Sequence, residues 1–584
     1  MLGLMMQTPL LLSSILMHAA RSFPDVEIVS RTPDKPDHVT SYGGLLQRSS
    51  QLANALDSIG IKPGDRVATL AWNSYRHLEL YFGISGMGAV CHTINPRLFV
   101  EQIIYIINHA EDAVVFFDLA FVDLVHALMP QCPTVEAWIY LGEAGDAKIV
   151  GAKGFPSYEG FLSGCSEAYA WPELDENTAC GLCYTSGTTG NPKGVLYSHR
   201  SAVLHSCAAA LPDACRISLD DTVALVSPMF HAMSWGMPYC ATATGSKLVM
   251  AGQNVDGESL HRLFEDHGVT FAGGVPTVWL GYVRYLQSAG VKPTTLNRAL
   301  IGGTACPASL METLQDEYGV EVLHGWGMTE TSPLATISKP LRKHMTSSRA
   351  ERRSRQVKQG RALFGVEIGI RDGNNRKLPH DGKAVGDLVV RGPWIARAYY
   401  KMPESERADG WFFTGDVVTI DSDGYMQVTD RSKDVIKSGG EWISSIELEN
   451  LAMAHPEIVE AAVIGIAHPK WDERPLVLAV RRQGSRLKAQ DLLAFYEGKI
   501  AKWWMPDDVL FVDELPHGAT GKVLKTKLRE LYGNRDPAAT SRTKRPEEQT
   551  GVPPAAQANR GSSVNPQPAS RSHPHRRLTR GRTR

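Results

Sequence analysis

Between residues 40 and 430 the sequence alternates two textures, and few folds accept that alternation. Stretches with helical apolar spacing are separated by apolar runs of strand length. "SYGGLLQRSSQLANALDSIG" reads as a helix ended by Gly60, and "DRVATLAW" as a buried strand. "YFGISGMGAVCHTINP" reads as a helix, a Gly step and a strand. "DAVVFFD", "TVALVSP", "KLVMAG" and "GVTFAGGVP" continue the pattern. Short continuous apolar runs between helical segments are the pattern of parallel strands covered on both faces. The expected fold class is therefore α/β, with mainly parallel sheets.

Near Asp430 the texture changes. "DGYMQVTDRSKDVIKSGGEWIS" is polar and rich in turn residues. A helix at 445–454, strands at "EAAVIGI" and "PLVLAV", a helix at 489–503 and a strand at "DVLFVD" follow. This reads as a small α+β domain at 432–534, after a large domain at 1–431, with the boundary at Arg431–Lys433. The segment 535–584 is rich in Pro, Ser and Arg. It has too little apolar surface to offset chain entropy and is expected to be a disordered basic tail. A mobile loop is expected within the polar basic stretch 343–360.

Composition excludes several classes. Of 584 residues, 43% are hydrophobic and 21% charged, as in ordinary globular proteins. A net charge of −1 gives no overall field for nucleic acid or membrane surfaces. No run of about 18 apolar residues announces a membrane-spanning helix. The N-terminal stretch places Leu12, Ile15, Leu16 and Ala19 at helical spacing, an amphipathic first helix rather than a signal peptide. Nine Cys in so long a chain fit a reduced, cytoplasmic protein. The CxxC pair Cys180 and Cys183 lies on an apolar run, so buried strand positions are expected rather than zinc or redox chemistry.

"YTSGTTGNPKG" (184–194) follows that run. Thr185, Ser186, Gly187, Thr188, Thr189 and Gly190 offer unobstructed backbone N–H groups and hydroxyls, which can wrap a polyanion. Lys193 adds a point charge. A Walker loop is ruled out, because Gly194 and "VLYSH" follow the lysine where that loop needs Ser or Thr opening a helix.

This loop resembles the phosphate loop of the adenylate-forming superfamily, which includes acyl-CoA synthetases. "GGTACP" (302–307), "GWGMTE" (325–330), "GWFFTGD" (410–416), "DRSKDVIKSGGEWIS" (430–444) and "GATGKVLK" (518–525) resemble further motifs of that superfamily, in order. The resemblance covers about residues 10–530. It implies activation of a carboxylic acid by ATP with Mg2+, then transfer to coenzyme A, in a homodimer without nucleic-acid or integral membrane partners. The loop and Lys193 would hold the β- and γ-phosphates. Gly303, Thr304 and Ala305 would line the adenine, and Trp326, between Gly325 and Gly327, would stack on it. Thr329 would contact the α-phosphate, and Glu330 would bind the metal. Asp416 and Arg431 would bind the ribose. Lys522 would bridge carboxylate and α-phosphate as the principal catalytic residue. Lys433 would be the hinge, and Lys437, Gly439, Gly440, Glu441 and Trp442 would line the pantetheine tunnel.

"SPMFHAMSWGMPY" (227–239) lies where the superfamily places its acyl-pocket motif. His231 would stand near the pantetheine outlet, with Trp235, Gly236, Gly274 and Val275 forming apolar walls. No Lys, Arg, Asp or Glu within "MFHAMSWGMPY" would pair a second substrate charge. The pattern is most similar to the group of medium-chain fatty acid and 3-(methylthio)propionate CoA ligases. Two other readings stay open: an adenylation enzyme that loads a carrier protein, and a nucleotide-binding protein without ligase activity. The absence of a carrier-like segment after 534 weighs against the first. Retention of Lys522, Glu330, Asp416 and Lys433 weighs against the second.

Overall fold

The computed structural model describes residues 1, 3–35, 37–143, 154–185, 191–404, 409–431, 433–438, 441–518 and 523–533. Two large sheets carry the parallel strands that the sequence implies. The six-stranded sheet runs Ala137–Tyr140, Asp112–Phe117, Arg66–Leu70, Val90–Thr93, Ala179–Tyr184, Gly194–Ser198, and only the last strand is antiparallel. In the nine-stranded sheet, Glu27–Ser30, Lys247–Met250, Thr222–Leu225, Phe271–Gly274, Arg298–Ile301 and Glu321–Gly327 are parallel, with antiparallel strands at both edges. The sequence had not separated a third sheet. Glu367–Arg371, Gly386–Arg391, Phe412–Ile420 and Met426–Arg431 form a fully antiparallel one. These three sheets build a large N-terminal domain. A smaller C-terminal domain holds five strands between residues 436 and 511, with the helix Ser445–Met453 packed on them.

The helix Tyr75–Gly86 touches strands of both large sheets, and every one of its residues is buried. Its sequence, "YRHLELYFGISG", nonetheless carries Arg, His and Glu. Each has partners. Arg76 Nε donates to Glu159 at 2.8 Å, and its Nη2 lies 2.9 Å from Asp34. Glu79 accepts from Arg48 Nε at 2.6 Å and from the Tyr158 hydroxyl at 2.8 Å. His77 stands 2.8 Å from the Thr69 hydroxyl and 3.0 Å from the Trp72 carbonyl. A buried charge without such partners would shift to its neutral form or prevent folding. The network thereby ties this helix to the helix Tyr42–Ser58 and to residues 34 and 159.

Several sequence expectations hold. Leu12, Ile15, Leu16 and Ala19 are buried on the helix Leu12–Ser22. Cys180 and Cys183 are each 1% exposed on Ala179–Tyr184. Burial pushes the Cys183 thiol up to about 11 and also raises Cys180, so neither is a ready nucleophile. Others need correction. The stretch 343–360 contains the helix Arg349–Gln356, not a loop, because Ser348 and Glu351 form a capping box and Arg353 pairs with Asp316 at 3.2 Å. The expected helix at 489–503 stops at Tyr496, since Gly498 takes φ +73°. The expected tail 535–584 lies outside the described residues.

Burial opposes ionisation of Asp34 and Glu159, but the neighbouring arginines outweigh it and hold both carboxyls below their ordinary values of 3.8 and 4.5. Depressed folded-state values give stability that is present above those ordinary values and lost as pH falls through the folded ones. Arg76→Met is expected to cost about 3–5 kcal/mol at neutral pH, because it strands Asp34 and leaves Glu159 with Arg48 alone. Urea titrations at descending pH should show the gap between wild type and variant narrowing below pH ~4.

Candidate active site

The crevice beyond the carboxyl ends of parallel strands is where α/β sheets hold ligands. The candidate residues of the large domain gather near such strand ends. Tyr184 ends a parallel strand and is followed by Thr185. The Thr185 N–H donates to the Lys193 carbonyl at 2.9 Å, and the Lys193 N–H to Thr185 Oγ1 at 3.4 Å. These bonds close the base of the Gly/Thr loop. Ser186, Gly187, Thr188, Thr189 and Gly190 themselves lie outside the described residues.

Lys193 and Glu330 converge on one side chain. Lys193 Nζ lies 4.8 Å from the centre of the Tyr399 ring, and the Tyr399 hydroxyl donates to Glu330 Oε1 at 2.6 Å. Backbone bonds set this geometry: Ala396 N–H to the Glu330 carbonyl and Tyr400 N–H to the Gly194 carbonyl, both at 2.8 Å. Glu330 is 4% exposed. Burial holds its carboxyl above the ordinary value; Tyr399 and Arg431 pull it back, and Asp416 pushes it up. Thr329 is also buried, and its carbonyl accepts from the Tyr197 hydroxyl at 2.7 Å. Tyr399 and Tyr197 were not singled out in the sequence. The only available signal was the Tyr-Tyr pair at 399–400, and its partner stands 69 residues away.

Asp416 and Arg431 face each other in register on antiparallel strands, with Arg431 Nε 2.8 Å from Asp416 Oδ1. Trp326 Nε1 donates to Asp416 Oδ2 at 2.9 Å. The tryptophan expected to stack on a base thus also holds the acid expected to bind a ribose. Gly327 has its own reason: a Cβ there would stand 2.0 Å from the Pro333 carbonyl oxygen.

The apolar wall is built by an unusual turn. Ala232, Met233, Ser234, Trp235 and Gly236 all have positive φ, between 44° and 71°. Four of them are not glycine, and each pays for the left-handed region. The turn lays the Trp235 ring over a glycine floor. Cβ atoms on Gly273, Gly302 and Gly303 would stand 3.5, 3.7 and 4.0 Å from it, and one on Gly303 only 3.1 Å from Val275. Gly274 precedes Val275 at the strand end, and Thr304 and Ala305 continue the turn from Gly303 towards the helix Ala308–Glu312. A Cβ on Gly236 would lie 2.6 Å from His205 Nδ1. His231 opens the turn, its N–H bonded to the Pro228 carbonyl at 3.0 Å.

The C-terminal candidates are placed less fully. Lys437 and Trp442 pair across a two-stranded turn, as do Ser438 and Glu441. The Lys437 N–H donates to Glu473 at 2.9 Å. Gly439, Gly440 and Lys522 lie outside the described residues. Lys433 follows Arg431 by two positions, and burial lowers its pKa.

A lysine and a glutamate gathered on one tyrosine, with an aspartate–arginine pair of the antiparallel sheet beside them and a second domain attached, define a nucleotide-handling enzyme of two domains. The chain belongs to the AMP-binding enzyme family, which matches residues 16–400, with the AMP-binding enzyme C-terminal domain at 447–522. It is 50% identical over 533 residues to a 3-methylmercaptopropionyl-CoA ligase of Ruegeria lacuscaerulensis, covering 91% of this chain and 99% of that one. It is 48% identical over 535 residues to a medium-chain-fatty-acid–CoA ligase of Ectopseudomonas oleovorans, covering 91% and 98%. ATP-bound MatB from Rhodopseudomonas palustris shares the fold with a TM-score of 0.75 and 27% identity, covering 89% and 99%.

Tyr399→Phe leaves a buried Glu330 oxygen without its donor. The expected cost is about 1–3 kcal/mol of stability, read from the urea midpoint at constant slope.

Proposed function

We propose that this chain is an ATP-dependent acid–CoA ligase acting on a short or medium-chain fatty acid or on 3-(methylthio)propionate. The observation that carries it is the convergence of Lys193 and Glu330 on Tyr399, beside the Trp326–Asp416–Arg431 group. The near-full-length identity to two CoA ligases supports the choice of thiol and acid.

In the first half-reaction a carboxylate oxygen attacks the α-phosphorus of ATP, and pyrophosphate leaves. Negative charge gathers on the phosphate oxygens, so positioned cations and donors carry the catalysis. Lys193 and the loop 185–190 would hold the β- and γ-phosphates, and Thr329 the α-phosphate. Asp416 would accept from the ribose hydroxyls while Trp326 and Arg431 fix its two oxygens. Lys522 would neutralise the two approaching anions. Glu330 fits Mg2+: it is a hard oxygen donor, and Mg2+ is commonly held by one or two carboxylates plus substrate phosphates. Among the described residues no group of three or more His, Cys, Asp or Glu could hold a metal ion by itself. The ion would supply positive charge against the phosphates.

In the second half-reaction the thiolate of coenzyme A attacks the acyl carbonyl, and AMP leaves. His231 would border the thiol's path. The two domains would turn about Lys433, bringing 437–442 in place of Lys522. The Trp235 ring over Gly273, Gly302 and Gly303 supports a walled, uncharged acyl pocket. A homodimer and a cytoplasmic location belong to the same proposal. No described helix is long and apolar enough to cross a membrane.

The test is pyrophosphate release from ATP across C2–C16 acids, including branched, aromatic and methylthio members. Release should peak among short or medium unbranched acids and require no CoA in the first turnover; a panel with no acid dependence would overturn the proposal. Lys522→Ala is expected to slow adenylation by about 10²–10³-fold, the loss typical of one electrostatic stabiliser, while thiolation of preformed adenylate persists.

A further inference from the structure

The helix Val100–Ala110 turns Ile103, Ile106, Ile107 and Ala110 into the core. Tyr105 and His109, four residues apart, share another face, and their rings stack at 5.3 Å with 25° between planes. The helix stops at Glu111, which takes the left-handed conformation at φ 57°. Lys401 covers this end: its Nζ donates to the His109 carbonyl at 2.9 Å and lies 2.7 Å from Glu111 Oε1. A cation at a helix C-terminus satisfies carbonyls that have no partner within the helix.

His109 then meets both rims of the site assigned to the triphosphate. On one side its Nδ1 stands 2.6 Å from the Tyr184 hydroxyl, and Tyr184 is the last residue before Thr185 at the base of the Gly/Thr loop. On the other its ring meets Tyr400 edge-on at 5.7 Å, and Tyr400 follows Tyr399, the residue shared by Lys193 and Glu330. Gly194 fills the layer between: a Cβ there would lie 3.2 Å from the Tyr184 ring and 3.1 Å from Tyr400 Cβ. Among the described residues the Tyr184 hydroxyl has no hydrogen-bond partner besides His109. Burial first, then Lys401, hold the His109 pKa below its ordinary 6.5, against the pull of Glu111. The imidazole is therefore uncharged at neutral pH, and one ring nitrogen can accept from the phenol.

Resting on the ligase reading, we propose that His109 is a positioning residue for ATP. It fixes the separation between the loop base at 184–194 and the segment that carries Tyr399, so that Lys193 and Glu330 are spaced for the phosphates before ATP arrives. It touches no reacting atom itself. Charges already held in place need no rearrangement as the reaction proceeds.

The test follows acid-dependent pyrophosphate release by the full-length enzyme, with ATP and acid varied in turn. His109→Phe keeps a ring against Tyr105 and Tyr400 and removes Nδ1. It is expected to raise KM for ATP about three- to tenfold, as the loss of one neutral hydrogen bond does. It should leave KM for the acid and thiolation of preformed adenylate unchanged. His109→Asn, which keeps a polar atom near the place of Nδ1, should bring KM for ATP back to within about twofold of wild type. Tyr184→Phe should match His109→Phe, and carries the same test should that variant not fold. The double variant should be no worse than either, because both remove one shared bond. Equal losses for ATP and acid, additive losses in the double variant, or an unchanged KM for ATP would overturn the assignment. Acid-dependent release by the wild type separates that failure from failure of the ligase reading.

Discussion

A helix buried on every side cannot carry charge unless the surrounding chain supplies the opposite charge. Tyr75–Gly86 carries Arg76 and Glu79 between two sheets, and the answering groups come from residues 34, 48, 158 and 159. Desolvating ions is expensive, and replacing such a network by apolar groups would often be no less stable. What the network adds is register. Its groups are met only when the first helices and the two sheets assemble in one arrangement, and that arrangement sets the strand ends side by side.

The same physics recurs at the crevice with a different result. Glu330 and Asp416 are almost fully buried; the Tyr399 hydroxyl holds the first, and the Trp326 indole with Arg431 holds the second. Donors that are already aimed need no reorganisation when a ligand arrives. Tyr399 belongs to both Lys193 and Glu330, so two groups far apart in sequence are positioned by one ring. The segment 396–400 does this through two backbone bonds, one to each side of the site.

Much of this was legible in the residues. The alternation of helical and strand-length apolar runs predicted the parallel sheets, because local periodicity reports burial directly. Glu330, Asp416 and Arg431, which the fold brings near one another, could be picked out because their motifs are contiguous and ordered. Tyr399, Tyr197 and the indole bond of Trp326 could not, since each acts through a partner brought near only by the fold. The helix Arg349–Gln356 was missed for another reason. Its polar composition masked a capping box written plainly at Ser348 and Glu351. The antiparallel third sheet was hidden because its strands sit between turns, where alternation is short and irregular.

The left-handed run from Ala232 to Gly236 has a consequence for how this chain can vary. Its reversed hand carries the indole of Trp235 across a bed of three glycines, so ring and bed are complementary volumes. A methyl group at 273 or 302 would only touch the ring, at 3.5 and 3.7 Å, whereas anything bulkier on the bed would need a smaller residue at 235 to make room. Changes of this wall larger than one methyl group therefore come through paired exchanges, trading bulk from one partner to the other.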